Sequence, residues 1–341
     1  MKRLNIGVIG AGRIGTVHTE TIVRSVPEAQ VVAIVDVNIA AAKELAERNM
    51  VKSYSADYRT ITQNPDIDAV IICSPTDVHA LHATVAAKAG KHIFCEKPIA
   101  LDLDTIRRVL QTVEQSRVKF MVGFNRRFDP NFRKVKDMVV QGKVGEPHIV
   151  KITSRDPAPP PAEYVAVSGG MFLDMTIHDF DMARFIVGDE VEEVFAIGAV
   201  KVDPAIGKAG DIDTAVITLV FRNGALGIID NSRQAVYGYD QRVEVFGSGG
   251  MVKVDNNAPD THDYYARDGV HSSLPLNFFM DRYIEAYASE IREFCRVVVR
   301  DEPVSVGGED GLLSVAIGLA AKKSLELHRP VKVAEILAGT A

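Results

Sequence analysis

Lys97 and its neighbours form the first segment of the chain that could take part in proton transfer. The tripeptide Glu96-Lys97-Pro98 directly follows an apolar run, typical of a buried strand, that ends at Cys95. Pro98 restricts the backbone of Lys97 to an extended conformation, so we expect its side chain to project from a sheet edge. A lysine at a buried site can hydrogen-bond a reacting hydroxyl group and stabilise negative charge on its oxygen. The alternative is a solvated surface lysine, the usual environment of this residue type.

A second segment combines an imidazole with carboxylates. Asp174 and His178 are four positions apart and Asp181 follows three later, so the three share one face if they lie on one helix. A carboxylate beside an imidazole orients the ring and favours its protonated form, which suits a general base that takes a hydroxyl proton. Three alternatives stay open: Asp174 as a helix N-cap, His178 as a core histidine, or a metal site. We expect no metal ion, because no further cluster of histidine and acidic residues completes a ligand set.

The first 36 residues predict a scaffold for these groups and a binding site for a cofactor. An apolar run, Leu4 to Ile9, leads into Gly10-Ala11-Gly12-Arg13-Ile14-Gly15, and a helix and a second apolar strand follow. This order predicts a dinucleotide-binding turn with its helix N-terminus at the pyrophosphate. Gly10 is expected to permit the tight turn, Gly12 to leave room for the pyrophosphate, and Gly15 to let helix and strand pack closely. The alternative is a glycine turn in another kind of α/β protein.

Asp36 ends the second strand, 21 positions after Gly15. A carboxylate at this place accepts hydrogen bonds from the hydroxyls of the adenosine ribose. It would repel a 2′-phosphate, so the predicted cofactor is NAD rather than NADP. In the alternative interpretation, Asp36 only caps a loop.

Composition and charge exclude several classes of protein. The 341 residues are 47% hydrophobic and 25% charged, which is ordinary for a globular chain and sufficient for two domains. A net charge of −6 without a basic patch argues against a nucleic-acid partner. No apolar run reaches the length of about 18 residues that spans a membrane. Three cysteines without metal or redox spacing, and no signal peptide, predict a cytoplasmic location.

Strand and helix signals alternate through the first third of the chain, which predicts a doubly wound parallel sheet of the Rossmann type over residues 1–124. Ligands bind at the carboxyl ends of such strands. Polar residues follow three predicted strands at those ends, and they include Ser74-Pro75-Thr76, Glu96-Lys97 and Asn125-Arg126-Arg127. We expect Ser74, Pro75, Thr76 and His79 to wall the cofactor cleft.

Residues 125–341 read as a second, α+β domain with a large, mostly antiparallel open sheet. Two pairs of apolar runs flank Arg222-Asn223-Gly224 and Gly247-Ser248-Gly249-Gly250, and both linkers are typical of hairpin turns. One face of such a sheet is free to pack on helices or on another subunit. Two helices are predicted to close the chain, over about 281–300 and 311–327, with core-packing aromatic residues in the first.

Two weaker signals accompany this second domain. The segment Arg155-Asp156-Pro157-Ala158-Pro159-Pro160-Pro161 is expected to be stiff, and could hold a substrate loop, a linker or an oligomer contact. The segment Tyr237-Gly238-Tyr239-Asp240 could offer hydroxyl groups to a polyol. A hairpin loop with exposed tyrosines is the slightly preferred alternative.

The glycine turn, the sequence CEKP at 95–98 and the Asp174–His178 segment together resemble the glucose-fructose oxidoreductase/inositol dehydrogenase/MocA family over essentially the whole chain. Residues 154–185 are most similar to its inositol 2-dehydrogenase branch. The family resemblance implies NAD(P) as cofactor, an open sheet used for oligomer contacts, a tetramer, and Lys97, Asp174 and His178 as the catalytic set. The branch resemblance implies additional polyol contacts, from Arg127, Asp156, Tyr237 and Tyr239.

The expected activity is the NAD-dependent oxidation of a secondary ring hydroxyl of a cyclitol, with C2 of myo-inositol first and scyllo-inosose as its product. His178 would remove the hydroxyl proton, Asp174 would orient His178, and Lys97 would hydrogen-bond the same oxygen. Another polyol or an aldose, such as scyllo-inositol, chiro-inositol or a glucose-type sugar, is the alternative among enzymes. A non-catalytic NAD-binding sensor is the alternative from another class, and it would need none of these three side chains.

Overall fold

The computed structural model describes residues 3–339, which divide into two compact units. Unit 1 comprises the residues up to Phe128 together with Ile284–Val315, and unit 2 comprises Asp129–Tyr283 together with the residues from Ala316 onward. The domain boundary predicted between residues 124 and 125 stays a prediction.

The described residues of unit 1 form a sheet of six parallel strands, as the alternating pattern predicts. In chain order the strands are β1 (Leu4–Ile9), β2 (Ala29–Val35), β3 (Ser53–Ser55), β4 (Ala69–Ile72), β5 (His92–Cys95) and β6 (Phe120–Val122). Their spatial order, β3-β2-β1-β4-β5-β6, is that of a doubly wound dinucleotide-binding sheet. The sequence did not predict β3, because its three residues, Ser-Tyr-Ser, carry no apolar pattern.

Helices alternate with these strands, and their ends follow local capping chemistry. They are α1 (Arg13–Ser25), α2 (Ile39–Arg48), α3 (Arg59–Thr62), α4 (Thr76–Lys88) and α5 (Leu103–Ser116), followed by a short 3₁₀ turn at Asn125–Phe128. The Asp102 carboxylate caps α5 by accepting from the backbone N–H of Thr105 at 2.8 Å. Gly90, beyond the end of α4, has a φ of 72°, the left-handed conformation that a C′ glycine adopts at the end of a helix.

Unit 2 contains a mixed sheet whose strands are mostly antiparallel, as predicted. The main strands are β7 (Pro147–Arg155), β8 (Val191–Ala199), β9 (Thr214–Phe221), β10 (Leu226–Ser232), β11 (Asp240–Gly247) and β12 (Gly250–Val254). A separate hairpin consists of β13 (Asp263–Ala266) and β14 (Gly269–Ser272), and β15 (Val331–Lys332) adds to the main sheet. The order in the main sheet is β12-β11-β7-β10-β9-β8-β15, with β7 and β10 parallel and the other described pairs antiparallel.

The remaining helices are α6 (Pro130–Val140), α7 (Ala162–Ser168), α8 (Ile177–Val187), α9 (Pro204–Lys208), α10 (Phe279–Arg282), α11 (Ile284–Arg300), α12 (Gly308–Leu327) and α13 (Val333–Leu337). Helix α11 therefore begins after a separate short helix, and α12 begins a turn earlier than predicted. No helix within residues 3–339 has both the length and the apolar character needed to cross a membrane.

The Asp174–His178 segment is helical, but it is not one regular α-helix. Met171–Met175 forms a π-helical turn, the backbone N–H of Thr176 donates to the carbonyl oxygen of Met171 at 2.9 Å, and His178 is the second residue of α8. Gly169 and Gly170, both with positive φ, precede the π turn and change the direction of the chain there.

Strand β9 alternates strictly between the two faces of its sheet. Ala215, Ile217 and Leu219 are buried, whereas Val216 and Val220 are exposed by 44% and 36%. The exposed face continues onto β10, where Leu226 and Ile228 lie opposite Val220 and Thr218. The sheet therefore has one packed face and one open, partly apolar face in this chain.

The core of unit 1 joins the sheet to α11. Ile6, Val8 and Phe94 pack in one buried cluster with Ile291 and Phe294. The aromatic residues predicted to pack in the core do so, since Tyr287 is 5% and Phe294 0% exposed.

Candidate active site

The three glycines of the turn after β1 meet different surroundings. A Cβ on Gly10 would lie 2.5 Å from the carbonyl carbon and oxygen of Cys73, and a Cβ on Gly15 would lie 1.9 Å from the carbonyl oxygen of Gly10. A Cβ on Gly12 would have no heavy atom within 4 Å. Gly10 and Gly15 are therefore needed by the packing of the protein itself. Gly12 leaves open space beside the backbone, as a pyrophosphate would require.

The N-terminus of α1 follows directly from Gly12. Gly12 is the N-cap residue and has no side chain to cap the helix, so the N–H groups of the first turn, which contains Arg13 and Ile14, suit an anionic ligand. The helix dipole adds a partial positive charge at the same end. These features fit the pyrophosphate of a dinucleotide.

Asp36 is bound to the glycine turn. Its Oδ2 accepts a hydrogen bond from the backbone N–H of Ala11 at 2.7 Å, and its Oδ1 accepts one from Asn38 at 2.8 Å. Because a carboxylate oxygen can accept more than one hydrogen bond, these contacts leave acceptor capacity for ribose hydroxyls. Asp36 thus has a local structural role, and its partly exposed carboxylate also fits the predicted ribose contact.

His79 connects the loop after β4 to the turn after β5. Its ring is 2% exposed, with Nδ1 2.8 Å from the carbonyl oxygen of Pro98 and Nε2 2.6 Å from that of Ser74. Burial lowers the pKa of His79, although the hydrogen bonds to the two carbonyl groups oppose this effect. Both ring nitrogens thus lie at hydrogen-bonding distance from backbone carbonyl groups. Ser74, in turn, has its hydroxyl 2.9 Å from Nδ1 of His82.

Lys97 lies in the turn at the carboxyl end of β5 and is half-buried, so it is not a fully solvated surface lysine. The Lys97-Pro98 peptide bond is cis. The preceding residue, Glu96, is 8% exposed, and its Oε1 lies 2.7 Å from Nε2 of His18 on α1. The turn that carries Lys97 is therefore bound on both sides, through Glu96 and through Pro98.

Arg127 lies in the 3₁₀ turn after β6. Its guanidinium group donates to Oδ1 of Asp310 at 2.8 Å, and the residue is 7% exposed. Asp310 also accepts from the backbone N–H of Gly307 at 2.9 Å. The protein thus already binds the side chain that the resemblance assigns to a polyol contact.

In unit 2, two side chains hold Asp174: Tyr164 on α7, and Arg233, which is 59 residues away in the sequence. Its Oδ1 accepts from the hydroxyl of Tyr164 at 3.0 Å, and its Oδ2 accepts from Nη2 of Arg233 at 3.1 Å. These contacts replace the N-cap role considered for Asp174, since Thr176 is the residue that precedes α8. His178 is partly buried, one turn beyond Asp174 along the chain.

Arg233 is a residue that the sequence reasoning missed. It is 3% exposed and contacts Asp156, at 3.4 Å, as well as Asp174. Burial opposes its charge, yet Asp174 and Asp156 raise the pKa of Arg233 above its usual value. The buried Arg233 therefore joins two of the predicted site residues, whose carboxylates are partly exposed, in one ion-pair network. An arginine after an apolar strand gives no local signal of this role.

Asp211 is a second missed residue, next to the same network. Its Oδ2 accepts from the backbone N–H of Met171 at 2.8 Å, at the start of the π turn. A Cβ on Gly170 would lie 2.8 Å from Asp211 Oδ1, so this glycine makes room for the carboxylate. Burial raises the pKa of Asp211.

Tyr237 and Tyr239 have different environments. The preferred alternative, a hairpin loop with exposed tyrosines, is wrong for Tyr239. Tyr239 is 7% exposed, and its ring packs edge-on against Tyr283 at 6.0 Å between centroids. The Tyr237 hydroxyl donates to Asp240 at 2.6 Å and accepts from Arg155 at 2.9 Å. Arg155 also pairs with Asp230, so these residues form a network distinct from that of Arg233.

The strand order of unit 1 and the open glycine turn define a dinucleotide-binding protein. Residues 4–124 match the model of the oxidoreductase family with an NAD-binding Rossmann fold, and residues 132–253 match the GFO/IDH/MocA C-terminal domain. The chain belongs to the GFO/IDH/MocA family of oxidoreductases, and NAD is its cofactor.

Relatives match the chain along nearly its whole length. A Thermotoga maritima protein named myo-inositol 2-dehydrogenase is 50% identical over 98% of this chain and 100% of its own, and a Rhizobium meliloti inositol 2-dehydrogenase is 46% identical over 97% and 99%. The crystal structure of a Lactobacillus casei scyllo-inositol dehydrogenase with bound NAD(H) and scyllo-inositol superposes with a TM-score of 0.92, at 33% identity, over 98% of this chain and 100% of the other.

Proposed function

We propose that this chain oxidises myo-inositol at C2 to the corresponding ketone, scyllo-inosose, with NAD as the hydride acceptor. The observation that carries the substrate is the 50% identity, over 98% of the chain, to a protein named myo-inositol 2-dehydrogenase. The open space beside Gly12 fits the pyrophosphate of NAD, and the partly exposed carboxylate of Asp36 fits its adenosine ribose.

In the proposed reaction, His178 takes the proton of the C2 hydroxyl group. Asp174, held by Tyr164 and Arg233, orients His178 and stabilises its cationic form. Lys97 hydrogen-bonds the same oxygen and stabilises its developing negative charge. When bound, NAD supplies the nicotinamide ring that receives the hydride from C2.

We assign the remaining predicted residues to two binding roles. The cofactor would contact the glycine turn, the ribose carboxylate and the loops after β4 and β5, through Gly10, Gly12, Arg13, Ile14, Gly15, Asp36, Ser74, Pro75, Thr76, His79, Glu96 and Lys97. The polyol would contact the catalytic residues and four further side chains, Arg127, Asp156, Tyr237 and Tyr239.

The test is an assay of NADH absorbance with NAD and a panel of myo-, scyllo- and chiro-inositol and glucose. We expect the largest kcat/KM for myo-inositol. A larger value for scyllo-inositol would instead support the second candidate, which the similarity to the scyllo-inositol dehydrogenase of known structure favours. NAD binding without turnover of any polyol would contradict both and favour a sensor.

We further propose a cytoplasmic homo-oligomer, a tetramer by family resemblance. The open face of the unit 2 sheet, with Val216, Val220, Leu226 and Ile228, offers an apolar surface for a second copy of the chain. Light scattering would give the mass, and Ile228→Asp should lower it, whereas Lys151→Asp, on the same face opposite Ile228, should lower it less.

A further inference from the structure

Glu290 is a carboxyl group buried inside unit 1, and no ion-pair partner for it is found within residues 3–339. It lies on α11 and is 0% exposed. Among the described residues, no protein group lies within hydrogen-bonding distance of either of its carboxylate oxygens. An isolated charged carboxylate in such a place is very costly, so burial of this kind requires an explanation.

Two polar side chains lie near Glu290, and they are already bound to each other. His18 Nε2 and Glu96 Oε1 are 2.7 Å apart, and an oxygen of Glu290 lies within 4.8 Å of a ring nitrogen of His18 and of a carboxylate oxygen of Glu96. Rings of Phe94 and Tyr287 pack edge-on against His18, at 5.2 and 5.5 Å between centroids. The cluster therefore joins α1, the turn after β5 and α11 inside unit 1.

Two carboxylates and one imidazole cannot all be charged in this environment without a surplus negative charge. Burial, and then the charge of Glu96, raise the pKa of Glu290 well above its usual value. A neutral, protonated Glu290 removes the surplus and turns one carboxylate oxygen into a hydrogen-bond donor. The separation from Glu96 would close by a small rotation of the carboxyl group or through one bridging water.

A metal ion would also compensate the charge, but the geometry favours a proton. His18 Nε2 points directly at Glu96 Oε1, at hydrogen-bonding distance. A metal ion bound by this nitrogen and by both carboxylates would have to displace that hydrogen bond, because the nitrogen has a single lone pair.

We propose that Glu290 is a protonated carboxyl group that, together with His18, holds the Glu96 carboxylate and thereby positions Lys97. The proposal rests on the function given above and adds Glu290 and His18 to it as positioning residues. Gly123 supports the same arrangement, since a Cβ there would lie 3.0 Å from the carboxyl group of Glu96. Lys97 is the next residue after Glu96, so a displaced Glu96 moves the backbone that carries the amine.

The titratable groups that face Glu290 are Glu96 from the turn after β5, His18 from α1 and Cys73 after β4.

A protonated Glu290 makes the stability of the protein depend on pH. Above the ordinary carboxyl pKa, the unfolded chain releases the proton of residue 290 while the folded chain keeps it. The unfolded state then binds fewer protons, so the free energy of unfolding falls as the pH rises, until the folded carboxyl group also ionises. An amide at position 290 removes this dependence.

The first experiment compares Glu290→Gln with Glu290→Leu in the full-length enzyme with NAD and myo-inositol. The glutamine keeps a neutral donor and should retain a kcat close to that of the unmodified protein. The leucine cannot hydrogen-bond and should lower kcat by about tenfold or more, with little change in KM for NAD, because Lys97 shifts. Glu285→Gln, on the exposed side of α11, is the matched control. An unchanged kcat for Glu290→Leu, or an equal loss in Glu290→Gln, would overturn the proposal.

The second experiment does not depend on catalysis, so it also distinguishes a failure of this inference from a failure of the proposed function. The infrared difference spectrum of the unmodified protein against Glu290→Gln should show the carbonyl band of a protonated carboxylic acid at neutral pH. The melting temperature of Glu290→Gln relative to the unmodified protein should rise with pH, whereas that of Glu285→Gln should stay level. Absence of the carboxylic acid band, or one metal ion per chain in elemental analysis, would refute the proposal.

Discussion

Lys97 in unit 1 and Asp174 in unit 2 are held in place by different kinds of interaction. The turn that carries Lys97 directly follows a buried strand, and its neighbours Glu96 and Pro98 contact His18 and His79. Asp174 lies in a π turn, and the long-range side-chain contact that holds it is an ion pair with Arg233, 59 residues away. The first region is fixed by its position after a buried strand and by hydrogen bonds to two buried histidines, whereas the second is fixed by an ion pair with an arginine from a distant part of the chain.

This difference has a consequence for sensitivity to change. The stability of a region built by close backbone packing should fall when an added atom meets a neighbouring group, and it should change little with salt concentration. A region held by an ion-pair network around Arg233 should tolerate changes in volume but not the loss of that charge, which leaves two partly buried carboxylates without the cation that they share.

The largest effect should come from the glycines of unit 1. Gly15→Ala places a Cβ 1.9 Å from the Gly10 carbonyl oxygen and should leave little folded protein, as measured by circular dichroism and thermal melting. Gly12→Ala, the matched substitution into open space, should melt as the unmodified protein does but bind NAD more weakly. Equal stability of the two variants would show that the turn is not fixed by packing.

Lys97→Ala should lower kcat by about a hundredfold or more, the scale of a lost proton-transfer or oxyanion partner. Lys88→Ala, at the exposed end of α4, is the control and should have normal kinetics. NAD affinity should change little in the Lys97 variant, because the glycine turn and Asp36 remain. Retained turnover in a well-folded Lys97→Ala protein would remove this residue from the proposed mechanism.

Arg233→Ala should lower kcat/KM by about ten- to a hundredfold, since Asp174 and Asp156 lose their shared cation inside the protein. Arg233→Lys keeps the charge but not the forked geometry and should recover part of the activity. Arg222→Ala, in the exposed hairpin turn, serves as the control. The comparison between the two regions would fail if the alanine variant had the same kinetics as the control.

The smallest of these effects should come from Asp36→Ser. The loss of a charged hydrogen-bond acceptor should weaken the binding of NAD by about tenfold and reduce the discrimination against NADP. Paired measurements of KM for both cofactors provide the test. A preference of the unmodified protein for NADP would contradict the role given to this carboxylate.

Local sequence patterns were sufficient to predict much of this molecule. The glycine turn, the order of strand and helix and the hairpin turns of the second sheet depend on residues close together in the chain. The structure agrees with them because backbone conformation at glycines, and the burial of alternating or continuous apolar runs, are local physical requirements. Local patterns did not predict β3, because its three residues, Ser-Tyr-Ser, have no apolar pattern and form a strand by pairing with β2.

Residue types and their spacing determined the fold class, the dinucleotide-binding turn and the three proposed catalytic side chains. Tertiary structure alone decided that Asp174 and His178 occupy separate helical segments, that Arg233 and Asp211 surround Asp174, and that Glu290 lies beside His18 and Glu96. The reason is physical: strands, turns and caps depend on neighbours in the chain. A buried charge is stabilised by whichever distant side chain the packed core brings to it, and no local pattern records that partner.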